Sequence, residues 1–98
     1  MNTEIILHAN DLQDKSAMIY HEIDKNIIGK LDAYIRKTVK EGDKIRIELT
    51  LIRDKIGITG KLIISFPGGI YRSARENFLK LEDLINHLFS HVKEQMGK

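Results

Sequence analysis

His87 and His91 are the two side chains in this 98-residue chain best spaced for chemistry. Four residues apart in a helical pattern, two imidazoles share one face, and such a pair can ligate zinc when a glutamate follows the first. Here Leu88 follows His87, and no third ligand stands at a telling spacing. A solvated polar face without metal is the expectation. Nucleophiles are equally bare: the chain has no cysteine, and Ser16, Ser65, Ser73 and Ser90 lie outside any nucleophile-elbow context. Glu82 and Asp83 are adjacent, so on a helix they diverge and make a poor acid/base pair. Gly68-Gly69 is too short for a phosphate-binding loop and leads into a strand, not a helix. His8 and His21 stand alone. These residues predict no enzyme, no cofactor and no small-molecule substrate.

Binding remains, and for binding the distribution of charge matters more than its total. Sixteen basic and fourteen acidic residues give a net charge of +2, compatible with a nucleic-acid partner without requiring one. From Asp43 to Arg75 there are seven Lys or Arg against three acids, whereas from Glu76 to Lys98 there are three against four. Lys44, Arg46, Arg53, Lys61, Arg72 and Arg75 carry most of that excess, and Tyr71 among them offers a surface on which a base could stack. Lys25, Lys30, Arg36, Lys37 and Lys40 lie off the apolar stripe of a first helical pattern. Lys80, His87, His91 and Lys93 do the same in a second. Charges off an apolar stripe are ordinarily just a solvated face.

The elements that must position these groups are legible from periodicity. Thr3 to His8 reads as a strand, and Asn10, Asp11 and Asp14 supply turn and cap chemistry after it. Ile19, Ile23, Ile27, Leu31 and Tyr34 then recur every three or four residues, with Ile28 and Ile35 widening the stripe. Gly29 falls mid-helix at a cost of about 1 kcal/mol relative to alanine, which predicts a kink or a close packing contact. Gly42, within Glu41-Gly42-Asp43, is expected as the left-handed cap that closes this helix.

From Lys44 the period changes to two. Ile45, Ile47, Leu49 and Leu51 alternate with polar residues, and Leu62, Ile64 and Phe66 repeat the alternation. Pro67 is the only proline and two glycines follow it, so a strand stops and reverses there. A short third strand completes the meander. Phe78, Leu81, Ile85, Leu88 and Val92 then step as a helix, flanked by Leu84 and Phe89. The expected fold is α+β, in the order strand-helix-strand-strand-strand-helix. It is a single domain over 1–98 with a four-stranded sheet and both helices on one face. A hydrophobic share of 42% suffices for one core of this size. No basic leader with an apolar run opens the chain and no stretch approaches the roughly 20 apolar residues of a membrane span. A cytoplasmic protein without a membrane partner is expected.

This order, together with Gly60 to Gly69, Ile70-Tyr71-Arg72-Ser73-Ala74 and the terminal helix bearing Leu81, Leu84, Leu88 and Val92, resembles the ribosome hibernation promoting factors. That family is also called the ribosome-associated inhibitor or sigma-54 modulation family. Lys30-Leu31-Asp32 followed by Tyr34-Ile35 is similar to the family's Lys-Leu-acidic-x-Tyr-Phe segment. The resemblance covers nearly the whole chain and implies a cytoplasmic factor that binds 16S rRNA of the small ribosomal subunit and occludes the mRNA and tRNA sites. Carried onto matching positions, it implies rRNA contacts for Lys30, His87 and Lys93. Lys25, Lys37, Lys80 and His91 join them by helical face.

The chain also departs from the family pattern. Asn26, Ile27 and Ala33 stand where basic residues are usual, the second helix is net acidic, and the passage from Ala74 to Phe78 is short. The two histidines would attract phosphate only when protonated, near or below a pH of about 6.5. The alternative is a protein-interaction or regulatory module of the same fold that does not bind ribosomes. A continuous positive face across both helices favours the first; charge confined to the sheet favours the second.

Overall fold

The computed structural model describes residues 2–97. Strand β1 (Asn2–His8) is followed by a 3₁₀ turn (Asn10–Lys15), and then by a helical rod of three consecutive segments. These are α1 (Ser16–Asn26), a π segment (Ile27–Leu31) and α2 (Asp32–Thr38). Strands β2 (Lys44–Arg53), β3 (Ile58–Phe66) and β4 (Gly69–Phe78) form the meander, and α3 (Leu81–Met96) ends it. The sheet runs β1-β2-β3-β4. β1 is parallel to β2, with the helical rod as the crossover between them, and the other pairs are antiparallel. This is the expected α+β order.

One face of the sheet makes the core. Ile45, Ile47, Leu49 and Leu51 of β2 are buried, as are Ile58, Leu62, Ile64 and Phe66 of β3. Onto them pack Ile19, Ile23, Leu31 and Ile35 from the rod, and Leu81, Leu84, Ile85, Leu88, Phe89 and Val92 from α3. Burying one such aliphatic side chain is worth roughly 1.5–3 kcal/mol, so the two-residue and three-to-four-residue periods are what fix the fold.

The π segment has a reason in the sequence. Ile19, Ile23, Ile27, Leu31 and Ile35 are four apart, and each such step overshoots a full turn of an α-helix by about 40°. Without correction the row would wind off the core. One wider turn absorbs a residue and returns Leu31 and Ile35 to the side of Ile19 and Ile23. Gly29 is the weakest helix former in the rod, and with β-branched Ile27 and Ile28 before it the wide turn falls there. A Cβ on Gly29 would meet nothing within 4 Å, so the glycine marks a helix irregularity, not a close contact.

Several boundaries differ from expectation. Neither helical start has a side-chain cap, so Asn10, Asp11 and Asp14 do not act in that role. The rod ends at Thr38, where Val39 turns extended. Gly42 therefore is not its cap. It sits at φ 90° in a separate turn closed by Asp43 N–H donating to the Lys40 carbonyl at 3.0 Å. Phe78 belongs to β4, not to α3, and Lys80 is the extended residue before the helix. The strand outlasts its expected end because β4 holds an extra residue between Arg75, opposite Gly60, and Phe78, opposite Ile58. Asn77 takes up the irregularity at φ 61°, a region asparagine tolerates better than most residues.

The Pro67-Gly68 reversal is where it was expected, with Phe66 paired to Gly69. It does so without positive φ at either glycine, since Gly42 is the one glycine there among the described residues. Gly60 matters more. Buried opposite Leu51, it would bring a Cβ within 2.9 Å of Leu88 Cδ1 and 3.2 Å of Leu51 and Leu84 methyls. α3 thus seats closely on β3 because this position has no side chain. Gly60→Ala is expected to destabilise the protein by roughly 1–3 kcal/mol through overpacking. Urea unfolding checks it, and an unchanged midpoint would show that the leucines move aside freely.

Candidate nucleic-acid interface

Asn26 interrupts the apolar row of α1 and is nonetheless buried, with 3% of its surface exposed. A buried amide needs partners, and Asn26 has them. Its Nδ2 donates to the Glu22 carbonyl and to Asn86 Oδ1 of α3, both at 2.8 Å. One turn on, the π segment carries Lys30, whose Nζ donates to the Asn86 backbone carbonyl at 2.8 Å. Asn86 therefore receives two bonds from the rod, one on its side chain and one on its backbone. These contacts form a polar seam along which the rod meets α3.

Positive charge gathers at this seam. Burial and repulsion from Lys93 hold the Lys30 ammonium below its ordinary value of 10.5, and Lys25 adds to the repulsion. The carboxylate of Glu22 pulls the other way. Glu22 is itself buried, and its Oε2 has no hydrogen-bond partner among the described residues. Lys30 thus feels two further ammonium groups, one from α1 and one from α3, against one carboxylate. Such a cluster lowers its own repulsion by taking up an anion, which is what a phosphate-binding surface requires.

The other residues expected to bind RNA lie elsewhere. His91 and His87 face β4: His91 Nδ1 shares a hydrogen bond with buried Ser73 Oγ at 3.1 Å, and the His87 ring lies 5.1 Å from that of Phe78. Lys37 is in the last turn of α2, beyond the seam, and Lys80 stands at the opposite end of α3 from Lys93. Lys25 and Lys93 are therefore the expected residues close enough to act on Lys30, His87 and His91 lie on the β4 flank, and Lys37 and Lys80 stand apart. Asn26, Asn86 and Glu22 were not anticipated as parts of the site. Asn26 could have been, since a polar residue on an apolar stripe signals a buried partner.

On the sheet, the basic excess of the meander is partly neutralised by β1. Parallel pairing sets Glu4 beside Arg46 and near Lys44, with ion pairs of 3.5 and 3.1 Å, and sets His8 within 3.0 Å of Glu48. Arg53 donates to the Asp11 carbonyl. Tyr71 is not a stacking platform. It is half-buried on the core side, 3.0 Å from the Tyr34 hydroxyl, and its ring packs edge-on against Tyr34 and Phe66. That hydrogen bond, with burial, raises the pKa of the Tyr34 hydroxyl above its ordinary value.

No protein-family model matches the sequence, and no curated protein matches it. Among solved structures it is similar to the crystal structure of the Thermus thermophilus Protein Y N-terminal domain. The two superpose with a TM-score of 0.63 at 15% identity, over 97% of this chain and 94% of that one. The chain has the Protein Y N-terminal fold. The coverage extends over both helices and the whole sheet. At this identity the likeness speaks for the fold and leaves the side chains to be judged on their own. Among the described residues there is no cluster of metal-ligating side chains, and no helix is long and apolar enough to cross a membrane.

Proposed function

We propose that this protein is a ribosome-associated factor of the hibernation class, which binds 16S rRNA of the small subunit and occludes the mRNA and tRNA sites. The observation that carries this reading is the lysine cluster at the α1–α3 seam, Lys25, Lys30 and Lys93, on a chain with the Protein Y N-terminal fold. The mechanism is steric and electrostatic. Ammonium groups meet phosphates of the rRNA, counterions are released, and the compact body blocks a site that another ligand needs. No catalytic step enters, and the site of action is the cytoplasm.

Two features shape the affinity. Glu22 within the seam offsets part of the positive charge, and α3 presents Glu82, Asp83 and Glu94 at its surface. Binding is therefore led by the seam and not by a uniformly basic helical face. Co-sedimentation with 30S and 70S ribosomes across a salt series tests it. Retention at low salt that declines as salt rises is the expected result. Absence from the pellet at the lowest salt would remove ribosome binding from consideration.

A further inference from the structure

Among the described residues Leu79 is the most exposed large apolar side chain, at 87%, and Ile56, at 68%, ranks third behind Ile28 in the π segment. Leu79 and Ile56 border one groove of about 520 Å³ at the end of the molecule away from the Pro67 turn. Its apolar surface comes from Leu12, Met18, Ile58, Phe78 and Leu81, drawn from the 3₁₀ turn, α1, β3, the edge strand β4 and α3. The volume lies within the range of ordinary ligand sites.

Both apolar groups are presented on defined backbone. Ile56 sits in a turn where Asp54 Oδ1 accepts from the Ile56 and Gly57 amides at 2.8 and 3.0 Å, and Asp54 N–H donates to the Gly57 carbonyl at 2.9 Å. A Cβ on Gly57 would come within 2.7 Å of the Phe78 carbonyl oxygen, so this turn presses against the end of β4. Leu79 follows directly after the Asn77 irregularity and Phe78. Neither side chain adds to the core, and two large apolar groups left in water beside a groove are characteristic of a contact surface.

Charge identifies the occupant. Lys15, Arg53, Lys55 and Lys80 line the groove against Asp54 and Glu82, and the Asp54 carboxylate is already engaged by its own turn. A cationic rim around an apolar floor complements an anionic chain bearing apolar side chains. Nucleic acid fits less well, because the one aromatic ring in the groove, Phe78, is half-buried and lies against His87. A second copy docking symmetrically would set like charges face to face.

We propose that this groove docks an acidic protein segment that anchors apolar side chains between Ile56 and Leu79 while its carboxylates meet the surrounding lysines. The inference goes beyond ribosome binding and uses neither Lys25, Lys30 nor Lys93.

A labelled peptide alternating glutamate and leucine is the probe, titrated by fluorescence anisotropy with amide shifts read by NMR. Binding is expected, with shifts centred on Ile56, Leu79 and Met18. A lysine-for-glutamate peptide and a serine-for-leucine peptide should each bind about ten-fold more weakly or worse. Leu79→Ser and Lys55→Glu should each weaken the acidic peptide by a similar factor without moving the melting temperature, since both positions are exposed. Any of three results would overturn the proposal: no binding of the acidic peptide, equal binding of its lysine counterpart, or indifference to Leu79→Ser. Two more would do so by naming another occupant. One is an oligouridylate that shifts the same amides where the peptide does not. The other is self-association of the protein that Leu79→Ser abolishes. Ribosome pelleting of Leu79→Ser should be unchanged, so failure of either assay is separable from failure of the other.

Discussion

Replacing Lys25 and Lys93 together with glutamine is expected to weaken ribosome binding by about ten- to a hundred-fold at physiological salt and to make its salt dependence shallower by about 2 in log–log slope. Both side chains are exposed, so the fold should tolerate the change. Lys93 lies in the last turn of α3, where it complements the helix dipole, and losing that costs under about 1 kcal/mol. Lys30 opposes that loss. Its folded-state pKa lies below the unfolded 10.5, so the unfolded chain holds the proton more tightly and the charged lysine destabilises the fold throughout neutral pH. That penalty fades as pH rises through the window between the folded value and 10.5. Removing two repelling neighbours lightens it at neutral pH, although burial, the largest cause, persists. The double variant should therefore melt near the wild-type temperature while losing ribosomes, and an NMR titration should show the Lys30 ammonium pKa moving up. An unchanged salt slope would mean that the seam does not meet phosphate.

The sequence carried the sheet and the main helical faces because burial alone decides them. Every apolar residue from Ile45 to Leu51 in the alternating row is buried, and so are Leu62, Ile64 and Phe66. In α3 the row from Leu81 to Val92 is buried as its spacing requires. Phe78 shows where periodicity misleads. It sits three residues before Leu81, in step with the helix, yet the extra residue beside Asn77 keeps it on the strand and no capping residue marks the true start. The four-residue spacing of the rod contained its π turn implicitly, since such a row can stay on the core only if one turn widens. The seam was harder to read. Lys30 and Asn86 are 56 residues apart, and their bond depends on how the rod crosses α3. Charge counting along the chain likewise pointed to the meander, because it could not see Glu4 arriving from β1 to neutralise Lys44 and Arg46. Local patterns thus give the faces, whereas the site is made by pairs that only the packed fold brings together.

Phe89→Ala should be among the most damaging single substitutions to stability, costing about 3–5 kcal/mol. Phe89 is the largest of the fully buried side chains and lies in α3, the element that seats on β3 and β4 and carries Asn86 and Lys93 to the seam. Truncation removes the aromatic surface from the core and leaves a cavity that a sheet on one side and the rod on the other cannot readily close. Against a total of about 5–15 kcal/mol for a domain of this class, that is a large share. The melting temperature should fall by about 4–8 °C for each kcal/mol lost. Phe89→Leu, which keeps most of the volume, should cost far less. Urea unfolding of the two variants measures the difference, and a loss below about 1 kcal/mol for alanine would show that α3 can settle into the gap. Ribosome retention separates stability from function here: in Phe89→Ala it should follow the folded fraction and recover at temperatures where the variant is folded. The Lys25 and Lys93 double variant should fail to bind although folded. If both variants lost ribosomes in proportion to unfolding, the seam would be a structural joint between the rod and α3 and not a phosphate-binding surface.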